Sequence, residues 1–191
     1  MSIELVNALG VWFTAVIIAA TAIAALVQLR HIRSSNELSA FSEAWDMWHT
    51  EQVQRGFTFI ERELAKKMED ASFRRELETA GVVDHRAHPE VVVCDWVDNL
   101  GVMVMLGMLR EDVILLPAAQ AISTAWDRLA PTTAIMRRKR GAQLYAPFEY
   151  LKDRARIWMQ RYPNGFEISG WRRVPLADSW LQADQANQES A

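Results

Sequence analysis

The sequence predicts an all-α protein: one N-terminal transmembrane helix, a cytoplasmic helical bundle and a mostly irregular C-terminal tail. Three observations carry this. No charged residue falls between Glu4 and Arg30. Beyond Arg33, apolar residues recur at spacings of three and four, the repeat of one helix face. No stretch of useful length alternates with period two, so no sheet is expected. The divisions that follow are residues 1–33 as anchor, 34–162 as bundle and 163–191 as tail.

The anchor comes first. "VWFTAVIIAATAIAALV" (11–27) is apolar apart from two threonines, which can bond their own helix backbone. A helix of about 20 apolar residues crosses a hydrocarbon layer of about 30 Å, and residues 5–29 are expected to contact lipid. Trp12 suits an interface position. A cleaved signal fits less well, because "MSIE" carries no Lys or Arg and the apolar run is longer than a signal's. Arg30 and Arg33 follow the run and nothing basic precedes it, so the N-terminus is expected outside and the rest in the cytoplasm of an inner membrane. Ala15, Ala19 and Ala22 offer a small-residue face on which two spans can associate.

The bundle helices follow in order. Leu38, Phe41, Trp45 and Trp48 form a stripe that no strong breaker separates from the span. Phe57, Ile60, Leu64 and Met68 repeat the pattern, and Phe73 and Leu77 mark a shorter helix ending near Gly81. "GVVDHRAHPE" is a connection, with Pro89 suited to a first helical position. The next helix runs to about Leu109. "REDV" breaks it, and Asp112 can cap its successor. Leu115, Ala119, Ile122, Trp126 and Leu129 then share a face. Pro117 either lies in the first turns or kinks the helix, and Pro131 marks a boundary. A last helix begins near Pro147, and "YPNG" (162–165) ends it. The tail, with Trp171 and Trp180, is expected to be ordered only where an aromatic docks.

In the order span, "QLRHIR", a helix pair, "DWVDNLGVMVMLGMLREDVI", "AWDRLAP" and "YAPFEYL", residues 11–161 resemble small bacterial single-pass membrane proteins with a cytoplasmic helical domain of unassigned function. The resemblance implies an anchored helical domain and supplies no catalytic residues.

Chemistry is sparse. Asp95, Asp98 and Asn99 share one face of the apolar helix 91–109. A helix apolar all round is buried, so this cluster is expected at or near a buried face. There it needs partners, for which Arg128, Arg138 and Arg154 are candidates. A ligand site or an acid/base pair is the sharper alternative. The same helix is not a second span. Two aspartates near its centre cost about 2.5–3.5 kcal/mol each, and its nine Val and Leu residues return only about 0.3–0.6 each.

His85, His88 and Cys94 lack the spacing of a zinc site, so the histidines are expected in a solvated loop. Cys94, the one cysteine, has no base beside it to make a nucleophile. The run Arg137, Arg138, Lys139 and Arg140 suits anionic headgroups or a solvated helix end. A net charge of −3 gives no footing for nucleic acid. No phosphate loop or nucleophile elbow is present.

No cofactor or metal is expected. The chain is expected to be a non-enzymatic anchored protein that recruits or senses a protein partner, or pairs with itself. The alternative is an effector that oligomerises through its span and perturbs the bilayer.

Overall fold

In the computed structural model, helix α1 (Ile3–Trp48) runs unbroken for 46 residues. The structure describes residues 3–166, 169, 170, 174, 176–181 and 185, without the side chains of residues 4–9 and 34. Among these residues every regular element is a helix and there is no strand. After α1 come α2 (Glu51–Arg62), α3 (Leu64–Lys67), α4 (Ala71–Leu77), α5 (Pro89–Met105), α6 (Glu111–Arg140) and α7 (Ala146–Arg161).

The N-terminal part of α1 is apolar enough to cross a membrane, with a mean hydropathy of 2.3 in its best window and none of that window buried. Its hydroxyls are satisfied internally. Thr14 donates to the Gly10 carbonyl (2.9 Å) and Thr21 to the Ile17 carbonyl (2.8 Å). Both hydroxyls of residues 11–27 therefore find an acceptor within the helix itself. Ala15, Ala19 and Ala22 are exposed along it.

The C-terminal end of the same helix joins the bundle. Ala44 is buried, and Phe41 and Trp48 pack against the core. Leu38 and Trp45 remain exposed, so the stripe read from the sequence is displaced toward Phe41, Ala44 and Trp48. Trp48 is the fastening: its ring lies 4.7 Å from Phe57 and 4.8 Å from Trp96.

Helix α5 is the centre of the bundle. It packs on α2 at one side and α7 at another, and α6 packs on α7. Val93, Cys94, Val97 and Leu100 of α5 are buried with Leu115, Ile122, Leu129 and Met136 of α6 and Phe148 and Leu151 of α7. Two glycines allow the close crossings. A Cβ at Gly56 would meet the Pro89 carbonyl oxygen at 2.6 Å, and one at Gly101 would run into the Pro147 carbonyl. The backbones approach at these points only because no side chain intervenes.

Several boundaries differ from the sequence reading. The 57–68 stripe is cut at Glu63, where φ is −124°, giving α2 and the one-turn α3. Helix α6 passes through Pro131 as well as Pro117. The proline leaves one carbonyl unpaired, but Thr132, Thr133, Ile135 and Met136 beyond it are buried, and their packing keeps the helix going. Asp112 does not cap α6. Arg110 is the N-cap residue, and its guanidinium binds the Asp112 carboxylate. Pro89 does stand in the first turn of α5.

The chain divides into two compact units, Met1–Arg161 and Tyr162–Ala191. In the second, Tyr162 and Phe166 meet edge to face at 5.1 Å, while Trp180 is exposed. Trp171 lies outside the described residues.

Candidate functional site

Asp95 and Asp98 sit one turn apart on α5, at the place where α7 begins. Asp98 accepts a hydrogen bond from the Phe148 amide (3.1 Å). Phe148 is the third residue of α7, so its N–H is one of the donors that a helix start leaves unpaired. The residue before α7 is Tyr145, at φ +56°, and a phenol cannot fold back to cap. The capping carboxylate comes instead from a neighbouring helix. Tyr145 is itself buried and donates its hydroxyl to Asp95 (2.8 Å). His85 Nε2 lies 3.5 Å from the other Asp95 oxygen.

The electrostatics agree with a structural use. Burial pushes the Asp98 carboxyl up, the Phe148 amide pulls it down and Asp95 pushes it up again, for a net rise. Burial, then Cys94 and Asp95, push the Tyr145 phenol far up, so it stays protonated and donates. Both aspartates are only half-buried and Asn99 is exposed. This corrects the expectation of a buried three-residue cluster: the start of α7 covers the Asp95–Asp98 side of the turn and leaves Asn99 in solvent. The basic partners proposed for it go elsewhere as well. Arg128 pairs with Glu61 (3.7 Å), Arg138 with Glu78 (3.4 Å) and Arg154 with Glu111 (2.6 Å).

A more deeply buried polar group lies at the other end of α5. His88 is 1 % exposed and Glu90 is fully buried. His88 Nδ1 is 3.0 Å from Glu90 Oε1, and its Nε2 is 3.1 Å from Glu76 Oε2. Both neighbours accept, so only the doubly protonated ring satisfies both contacts. Burial lowers the His88 pKa, but the bonds and charges of Glu90 and Glu76 outweigh it, and the net shift is upward. The Phe73 ring lies 4.3 Å from the imidazole. The second Glu90 oxygen has no hydrogen-bond partner among the described residues.

His88 is therefore not in a solvated loop. The connection folds back over α4, and the ring fills the gap beside Phe73. The sequence offered one signal, a His and a Glu on either side of the proline that opens an apolar helix. Spacing alone did not show that both are buried.

Glu76 also lines an open cleft of about 610 Å³ between α2, α4 and the loop before α5. Phe59, Phe73 and Pro89 supply apolar wall. Arg55, Lys67 and Arg86 line it too, and none of the three forms an ion pair among the described residues. Glu63, Asp70 and Glu76 balance them. A wall with both charges and an apolar floor suits a polypeptide segment better than a simple anion.

The basic run at the end of α6 is engaged inside the domain. Arg137 binds the Leu144 carbonyl (2.9 Å) and Glu149 (2.8 Å). Arg138 binds Glu78, and Arg140 binds the Thr79 and Gly81 carbonyls. Lys139 is exposed. Cys94 is fully enclosed and burial pushes its thiol well up, so it stays a thiol. Among the described residues no group of three His, Cys, Asp or Glu is placed to hold a metal ion. Comparison of the chain with protein-family models, curated proteins and solved structures finds no match.

Proposed function

We propose that this chain is a membrane-anchored, non-enzymatic helical protein that recruits or senses a protein partner at the cytoplasmic face of the membrane. The observation that carries the reading is the continuity of α1. One helix holds an exposed apolar stretch of membrane-crossing length, and its other end is fastened into the bundle by Trp48. A bundle mounted on its anchor without a flexible linker is held at a fixed height and orientation, which suits a receptor or scaffold. The cleft beside α2 and α4 is the surface proposed for the partner. Arg30 and Arg33 favour the orientation with the N-terminus outside.

The test uses the full chain in its native membrane. Carbonate washing should leave it in the membrane fraction, and protease should reach the bundle only from the cytoplasmic side. A photo-cross-linker at Arg55 should capture one partner, and Arg86→Glu should abolish the adduct. Release by carbonate would overturn the anchor. An adduct pattern that Arg86→Glu does not change would overturn the cleft as the partner surface.

A further inference from the structure

The turn between α5 and α6 exposes apolar side chains that the bundle does not cover. Met105 is 56 % exposed, Leu106 70 % and Met108 55 %, whereas Leu109 beside them is 1 % exposed. Gly107 makes the turn at φ +67°. Three large apolar residues in four positions form a local knuckle rather than scattered surface residues.

Two contacts give its height along α1. Trp96 of α5 meets Trp48. Four residues on, Leu100 lines a small apolar hollow of about 100 Å³ together with Ala44 and Phe41. So α5 runs antiparallel to the end of α1 and climbs toward the apolar stretch. Leu106 lies ten residues beyond Trp96, about 15 Å at 1.5 Å per residue, which matches ten residues back from Trp48 along α1. Helix α6 then descends beside α1, with Ile114, Pro117 and Ala121 lining the same hollow. The knuckle is thus level with about Glu37, at the end of the bundle nearest the membrane-length stretch.

We infer that the Met105–Met108 turn is a second membrane contact, seated in the lipid interface beside the point where α1 leaves it. This rests on the anchor reading above. Leu29, exposed and apolar, is the last residue of the charge-free run, and Glu37 follows eight residues later, about 12 Å along the helix at 1.5 Å per residue. A headgroup layer is about 5–7 Å thick. Spans tilt by about 20° on average. Across an interaxial distance of about 9 Å, a tilt of that size toward the α5 side lifts the turn by about 3 Å. Those lengths bring the knuckle to within about 2–4 Å of the outer edge of the headgroup layer, a gap that a Met or Leu side chain bridges.

Lipid is the occupant that the geometry favours, because the same helix enters the apolar phase at this end. The knuckle residues carry no charge, and of the nearby cations Arg110 is paired with Asp112 and Arg33 with Glu37. The contact is therefore apolar and does not need anionic lipid.

The test is depth-dependent quenching in the full-length protein, reconstituted in phosphatidylcholine vesicles with and without phosphatidylglycerol. Single labels go on Leu106→Cys, on Ile23→Cys within the span and on Lys139→Cys at the far end of α6. Cys94 is buried and does not react. Shallow doxyl lipid should quench the Leu106 label about two-fold more than the Lys139 label, equally in both vesicles. Adding Met108→Asp should remove the difference. If the Ile23 label is quenched and the Leu106 label is not, the second contact is wrong and the anchor stands. If neither is quenched, the anchor fails and the contact with it. A Leu106 label shielded from aqueous iodide but not quenched by lipid would mean a protein covers the knuckle, which also overturns the inference.

Discussion

His88 shows how one residue can carry charge into a core. Its ring bridges a fully buried carboxylate and a half-exposed one, and the protonated form is the one that fits. Its folded pKa lies above the ordinary 6.5. The sign follows from linkage: a raised histidine pKa adds stability that is complete below about 6.5 and is lost as pH rises through the folded value. Urea melts should therefore give a higher midpoint at pH 6 than at pH 8. His88→Gln should lower stability by on the order of 3 kcal/mol, because Glu90 is left as an uncompensated buried charge. It should also flatten the pH dependence. A variant whose midpoint still falls between pH 6 and pH 8 as in the parent would show that another group carries the effect.

At the scale of elements, the helices borrow their ends from one another. Helix α7 is capped by Asp98 of α5, because Tyr145 cannot do it. Loss of an N-cap acceptor costs about 1 kcal/mol, so Asp98→Ala should lower the melting temperature by several degrees. Asp98→Asn should not. It keeps an acceptor for the Phe148 amide and removes a charge that burial disfavours. If Asn is as damaging as Ala, the carboxylate has a use beyond capping. The apolar periodicity of α5, α6 and α7 was legible from their residues. The interruption at Glu63 and the passage of α6 through Pro131 were not, because packing across the bundle decides whether a weak point breaks a helix.

At the scale of the molecule, α1 and the bundle form one body through Trp48. Truncating it removes contacts to Phe57 of α2 and Trp96 of α5 together. Trp48→Ala should cost about 2–3 kcal/mol. Hydrogen exchange should show protection lost over residues 41–48 while α5 and α7 keep theirs. Equal loss in all helices would mean that the attachment and the core unfold together.

The sequence by itself determined the helical class, the uncharged N-terminal stretch and the central place of residues 91–109. Each is a property of neighbours along the chain: the helix repeat, the run of apolar residues, a proline at a first turn. Tertiary structure decided which polar groups matter. Asp95, Asp98 and Asn99 looked alike on the helix face, yet α7 gives the two aspartates partners and leaves Asn99 in water. Glu90 stood in the sequence only at the end of a polar connection, yet it is sealed in with His88. A side chain's burial and its partner across a helix interface depend on which distant residues fold against it, and no local repeat encodes that.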